Sequence, residues 1–266
     1  PWVALGLRLT GRRAPAVTAA VAAAALGAAV RPRGRARPQP GASGPRLRVL
    51  TANLYFGRAD AEVVVSLVRR LDAEVLFLQE LTNDAVTRLK QAGLDELMPH
   101  TLLDIRGGSR GSGIYSRFPL GDGPAVPPVH MAQPSALIHL PNGEEAELIC
   151  VHPTSPNIMR GGAAPWRKEI AVLPAPDELP RVMAGDFNAS LDHAAFRDVL
   201  RLGYADAGSE AGRALTPTWG PPGHGPLFTL DHVLVSRGCA VVYYCVNSVP
   251  GTDHRAVFAE IHLPER

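Results

Sequence analysis

Lysine is almost missing from this chain: of its 27 basic residues, only Lys90 and Lys168 are not arginine. Acid is missing from its start, since residues 1–45 carry seven Arg and no Asp or Glu. The rest, 46–266, then holds 20 basic against 25 acidic residues, so the formal charge of +2 hides an acidic body. That balance argues against a protein that follows a long polyanion along a basic face. Cysteine is scarce, and Cys150, Cys239 and Cys245 form neither a metal spacing nor a disulfide ladder. In "CAVVYYC" the two sulfurs lie six residues apart in one expected strand, roughly 20 Å, too far to bridge. What is abundant is apolar: 46% hydrophobic against 20% charged residues excludes extended disorder, and 266 residues suffice for one large domain or two small ones. The excess of Arg and Ala reads as coding bias rather than mechanism.

The N-terminal "GRRAPAVTAAVAAAALGAAVRPRGRARPQPGASGP" is uncharged from Ala14 to Val30, about 17 residues, the short limit for a bilayer span. Three readings compete: a transmembrane helix, the apolar region of a secretory signal after "RLTGRR", and a soluble Ala-rich helix. Arg on both sides leaves the orientation undecided. The chain begins at Pro1, so further sequence upstream is expected. Residues 31–45, rich in Pro, Gly and Arg, read as a linker, which sets 1–45 apart from a folded domain over 46–266.

From Arg46 onward apolar runs alternate with amphipathic stretches. "RLRVLTANLY" and "DAEVLFLQEL" read as buried strands, separated by a helix with Val63, Leu67 and Leu71 on one face and Asp60 as its cap. A second helix is expected over Asp84 to Gln91. "SGIYSRFPL", "SALIHL" and "EAELICVHP" are expected strands, the last two joined by a "PNGE" hairpin turn. Helices follow at about Ala163 to Leu173 and in "HAAFRDVLRLG". The end of the chain holds three strands: "TLDHVLVS", "AVVYYCVNS" and "HRAVFAEIHL". Strands outnumber helices and no repeat recurs, which favours an α/β architecture of two packed sheets with outer helices.

The run "VMAGDFNAS" ends a buried strand in Asp186 and, two residues on, Asn188. Polar residues recur at other strand ends: Asn53, Glu80, His152, the pair Asp231–His232 and the pair Asp253–His254. Singly, each can be a turn or a cap. Jointly they form a donor set. Carboxylates with an amide oxygen are hard ligands suited to Mg2+ or Mn2+, and no thiolate stands among them to argue for zinc. Histidines beside carboxylates can bind phosphoryl oxygens or carry a proton. The combination describes metal-assisted hydrolysis of a phosphate ester.

"TANLYFG", "FLQEL", "GSGIYSRFPL", "CVHP", "AGDFNAS", "LDHVLVS" and "GTDHRAVFAEI" occur in an order that resembles the endonuclease/exonuclease/phosphatase superfamily over residues 46–266. The resemblance implies a four-layer α/β sandwich, two mostly antiparallel sheets flanked by helices, with the site at one edge of the paired sheets. It implies that Asn53 and Glu80 hold a divalent metal, Mg2+ or Mn2+, with Asp253 in the metal shell. Asp186 would orient or deprotonate the attacking water, Asn188 would steady the phosphoryl group and His152 would bind it. Asp231 would orient His254 toward the scissile phosphate, Tyr115 would contact phosphate, and Trp219 would shape the substrate mouth. Thr252 stands where many relatives have Ser, and Ala256 where they have Pro.

Three functions remain open at this stage. A short apolar segment feeding a lean domain resembles membrane-bound actinobacterial members grouped with teicoplanin-resistance proteins. That implies a membrane-anchored, extracytoplasmic phosphoesterase acting on a lipid-linked phosphate or pyrophosphate, tied to the envelope and antibiotic resistance. The second is a secreted or repair nuclease, for which the domain leaves little room for long nucleic-acid-gripping insertions. A membrane-tethered binding module without turnover is the third.

Overall fold

The computed structural model describes residues 13–127, 129–156, 162–221 and 224–265; residues 1–12, the first part of the expected N-terminal segment, lie outside them. After helix α1 (Arg13–Val30), the chain enters β1 (Arg46–Asn53), α2 (Ala61–Arg70), β2 (Val75–Gln79), α3 (Asn83–Gln91), the one-turn α4 (Leu94–Leu97), β3 (His100–Asp104) and β4 (Ser112–Ser116). It continues through β5 (Leu120–Asp122), β6 (Ser135–His139), β7 (Glu145–Val151), α5 (Ala163–Ala171), β8 (Arg181–Asp186) and α6 (Ala194–Arg201). Then come β9 (Tyr204–Asp206), the short α7 (Ala207–Glu210), β10 (Asp231–Ser236), β11 (Ala240–Ser248) and β12 (Arg255–His262).

The strands form two six-stranded sheets, ordered β11-β12-β1-β2-β4-β3 and β5-β6-β7-β8-β10-β9. Each has one parallel pair at its centre, β1 with β2 and β7 with β8, and every other pairing is antiparallel. A parallel pair needs a crossover, which α2 and α5 supply. Side chains alternate along a strand, so β1 sends Leu47 and Val49 between the sheets and Leu50 and Ala52 toward the helices. Three apolar layers result: one between the sheets, one beneath α2–α4 and one beneath α5 and α6. With two sheets and two helical layers, this is the expected four-layer sandwich.

Local chemistry agrees with the sequence at most junctions. Asp60 accepts the Val63 N–H and starts α2, and Thr82 does the same for α3 through Ala85. "PNGE" closes the β6–β7 hairpin with Gly143 at φ 86°. One expected strand is corrected, and one strand was not expected. "SGIYSRFPL" is not one strand: β4 ends at Ser116, and β5 begins at Leu120 in the other sheet. Pro119 cannot donate to a ladder, and the chain changes sheets there. β3 escapes sequence reading because it is an edge strand with no alternating buried face.

The segment after α1 lies along the domain. Arg33 pairs with Asp192 at 2.7 Å, Arg37 with Glu210 at 3.1 Å, and Gln39 Oε1 accepts the Val241 N–H at 2.7 Å. By length and composition alone, Pro15–Gly34 is long and apolar enough to cross a bilayer.

Candidate active site

Topology assembles the strand-end residues. β1 and β2 run parallel with Asn53 opposite Gln79, so Asn53 and the following Glu80 leave one sheet at the same edge. In the other sheet Val151 lies opposite Gly185, which puts His152 beside Asp186. β10 runs antiparallel to β8 and starts at that edge, with Asp231 opposite Asp186. β12 likewise starts just after Asp253 and His254. Ends of parallel strands and starts of antiparallel ones therefore meet above both sheets.

The glycine in "GDFN" is required here. Gly185 has φ 151°, and a Cβ on it would lie 1.9 Å from the Val151 carbonyl oxygen, where β7 and β8 approach. Glu80 and Asn188 both adopt left-handed backbone, φ 54° and 48°, which turns each side chain out of its strand direction. Such strain in non-glycine residues persists where the surroundings fix it, and it clusters at functional sites.

The side chains form one connected network. Asn53 Nδ2 donates to Asp186 Oδ2 at 3.1 Å and to Glu80 Oε1 at 3.4 Å, while Asn53 Oδ1 accepts the Tyr55 N–H. The Asn188 N–H donates to Asp186 Oδ1 at 2.8 Å, and Asn188 Nδ2 donates to the Pro153 carbonyl. His254 Nδ1 donates to Asp231 at 2.9 Å, and its Nε2 lies 3.7 Å from Asp186 Oδ2. His152 Nε2 is 3.9 Å from the same oxygen, and its Nδ1 is buried without a hydrogen-bond partner among the described residues. Thr252 Oγ1 donates to the Asn53 carbonyl and accepts the His254 N–H, so a threonine does serve in this hydroxyl position.

Burial and charge divide the two histidines. Burial lowers His152 to about 4, so its imidazole is neutral at ordinary pH. Burial also disfavours the charged form of His254, but Asp231 and Asp186 override it and raise the ring to about 10. Burial raises the carboxyls of Glu80 and Asp186, each aggravated by a nearby carboxylate. These clustered acids, together with Asp253 Oδ1, a buried oxygen without a hydrogen-bond donor among the described residues, are a set that a hard divalent cation would satisfy. Asp186, Asp231 and His254 also lie within 4.8 Å of one another, but Asp231 is already bonded to the His254 ring, and a protonated imidazole offers no lone pair.

Of the residues expected from sequence, Asn53, Glu80, His152, Asp186, Asn188, Asp231, Asp253 and His254 converge at this edge. His232 points the other way, bonded to Asp206 and the Ala189 carbonyl, because it alternates with Asp231 along β10. Tyr115 does not converge either. It lies on the opposite face of β4 from Ile114, 2% exposed among Leu76, Leu78 and Leu89 in the layer beneath the helices, where no phosphate reaches. Alternation along β4 decides this, and the tyrosine is a core residue. Trp219 stands at the mouth as expected: its Nε1 donates to Asp253 Oδ2 at 3.0 Å and its ring stacks on Phe228.

The site opens into a cleft of about 910 Å³. Its rim includes residues that sequence reading missed, among them Tyr55, Phe56, Arg110, His130, His193 and Phe228. Tyr55 and Phe56 follow Asn53 within "TANLYFG", and the others sit in connections with no apolar period to mark them. Buried Gln79, bonded to Thr51 and Cys150, and Thr218 Oγ1, which accepts the Asp231 N–H, brace the network from below.

No curated protein matches the chain. Among solved structures it is similar to a humanized D. rerio TDP2, at 18% identity and TM-score 0.64, covering 81% of this chain and 98% of that one. A D. rerio TDP2 complexed with single strand DNA product aligns with TM-score 0.62 at 18% identity over the same shares. An endonuclease/exonuclease/phosphatase from Beutenbergia cavernae aligns with TM-score 0.62 at 19% identity, over 82% of this chain and 72% of that one. These likenesses establish the fold. The Endonuclease/Exonuclease/phosphatase family matches residues 50–254, well over half of the sequence, and this chain therefore belongs to that family of metal-dependent phosphoester hydrolases.

Proposed function

We propose that this protein hydrolyses a phosphate ester or pyrophosphate carried on a lipid, with the domain 46–266 anchored to a membrane by α1 and working at its outer face. The observation that carries the catalytic part is the buried network joining Asn53, Glu80, Asp186, Asp231 and His254 at the floor of an open cleft. Glu80, Asn53 and Asp253 would hold Mg2+ or Mn2+, which supplies positive charge to the phosphoryl oxygens. Asp186 Oδ2, its carboxyl raised by burial, accepts the proton of the attacking water. The His254 imidazolium, oriented through Nδ1 by Asp231, presents Nε2–H to a phosphoryl oxygen on the reacting side. Neutral His152 binds a second phosphoryl oxygen. Asn188 has one Nδ2 hydrogen on the Pro153 carbonyl and the other free for the phosphoryl group.

The lipid part of the reading is supported by the exposed apolar helix and by the acidic balance of 46–266. The resemblance to envelope proteins grouped with teicoplanin resistance points the same way. A nuclease reading is favoured by one specific observation, the likeness to a TDP2 bound to single strand DNA product. The deciding experiment supplies the full chain in mild detergent with Mg2+ and a polyprenyl pyrophosphate, sphingomyelin or single-stranded DNA in parallel. Preference for the polyprenyl substrate is expected. Turnover of DNA alone would replace this reading with the nuclease, and turnover of nothing, with DNA or lipid still bound, with a binding module.

A further inference from the structure

A second large cavity lies away from the catalytic cleft. It has a volume of about 820 Å³ and is lined by Arg33 and Arg37 of the strap that follows α1, by Arg197 and Arg201 of α6, and by Arg237. Five guanidiniums in one cavity stand out on a domain with more acidic than basic residues. Three are neutralised: Arg33 by Asp192, Arg37 by Glu210 and Arg201 by Asp198. The Arg197 guanidinium donates to the Leu191 carbonyl and, with Arg33, holds the Asp192 carboxyl below its ordinary value, while Arg237 is exposed without an ion pair among the described residues. Arg31 and Arg35, also exposed, stand beside the cavity on the same strap.

The helix leading into this strap is apolar and almost uncovered. Over Pro15–Gly34 its mean hydropathy is 1.3 and 6% is buried, with Val17, Val21 and Leu26 each more than half exposed. An apolar span that ends in an arginine cluster brings that cluster to the head-group level of a bilayer. Resting on the reading of α1 as a membrane anchor, we propose that the arginine-lined cavity between the strap and α6 receives the phosphate head group of an anionic lipid. Arg237 has no acidic partner among the described residues and Arg197 shares the single carboxylate of Asp192 with Arg33, so these two carry the charge to spare for it, and a guanidinium suits phosphate by its fork of donors.

The cavity has a consequence for catalysis through one loop. Asp192, which holds Arg33, sits between Ser190 and His193, and both line the catalytic cleft. The loop leaving "GDFN" thus carries the cleft rim on one side and the anchor of the strap on the other. A head group seated on the arginines would hold the cleft mouth beside the membrane surface, where a lipid-linked phosphate lies.

The test uses the full chain in nanodiscs of phosphatidylcholine and phosphatidylglycerol in equal parts, released in mild detergent and weighed intact with whatever lipid it retains. Retention of phosphatidylglycerol over phosphatidylcholine is expected, and the Arg197→Ala/Arg237→Ala chain should lose that preference by on the order of tenfold. Arg237→Ala alone, which leaves the Arg197–Leu191 bond in place, should lose part of it, and Lys90→Ala on α3 none. Insertion without head-group preference, or preference intact in the double variant, overturns the head-group site while leaving the phosphoesterase reading untouched. Failure of the chain to enter nanodiscs overturns the anchor and this site together. Displacement of the retained lipid by inorganic phosphate, but not by chloride at the same ionic strength, would give the cavity to a soluble phosphate and overturn its lipid occupant.

Discussion

His254 and Asp231 come from different sheets, yet His254 Nδ1 lies 2.9 and 3.1 Å from the two carboxylate oxygens of Asp231. His254 immediately precedes β12 in the first sheet and Asp231 opens β10 in the second. The bond therefore fixes the two sheets at the floor of the cleft and keeps the imidazole charged, with its Nε2 turned toward Asp186.

Removing that charge should disable the histidine without removing it. Asp231→Asn keeps the shape and the Thr218 contact to its backbone, so folding should survive. Turnover should fall about 10²–10⁴-fold, the usual worth of a positioned proton-carrying group. Steady-state phosphate release checks this, with circular dichroism as the folding control; near-normal turnover would mean that His254 needs no partner.

Asp186 and His254 should behave as one unit. Asp186→Asn and His254→Ala should each remove most of the turnover, and the double variant should be little worse than either, because residues acting in one step are non-additive. A double-mutant cycle on phosphate release, with thermal unfolding alongside, measures the coupling. Losses that simply multiply would place "GDFN" in the architecture and outside a shared site.

The metal assignment has a readout that does not need turnover. Glu80→Gln removes one half-buried carboxylate and keeps the Phe56 N–H contact, so Mn2+ affinity measured by calorimetry should weaken by at least on the order of 10–100-fold. Unchanged affinity would exclude Glu80 as a ligand.

A fourth expectation concerns stability, through a pair that faces away from the cleft. His232 is buried against Phe187 and Phe196, its Nδ1 3.0 Å from Asp206 Oδ1 and its Nε2 on the Ala189 carbonyl. Against the penalty of burial, Asp206 raises the His232 ring and His232 lowers the Asp206 carboxyl. The raised histidine stabilises the fold fully below its unfolded value of about 6.5, and this is lost as pH rises through the folded value; the lowered aspartate stabilises above about 3.9, and this is lost as pH falls through its folded value. The advantage of the native chain over Asp206→Asn/His232→Gln should therefore peak between about pH 4 and 6.5 and decline on both sides. Urea unfolding across pH reads it directly; a flat difference would mean that the pair is neutral.

The sequence by itself determined most of the elements and the polar residues that gather at the candidate site. Apolar runs broken by Gly, Pro and Asn fixed most strands, Asp60 marked a helix start, and "GDFN" with Asp253–His254 named the polar residues, because capping, alternation and ligand hardness are local properties. It could not place Tyr115. Period-two alternation says that Ile114 and Tyr115 face opposite ways but not which way is the cleft, and only packing against Leu76 and Leu78 decides that. Nor could it show β3, an edge with no buried face, or the rim formed by Phe56, His130 and His193. Those residues meet only because two parallel crossovers bring distant loops to one edge. The same holds for the strap: residues 31–45 read as a linker by composition, and only the tertiary structure shows Arg33, Arg37 and Gln39 bonded to Asp192, Glu210 and Val241, at least 159 residues away.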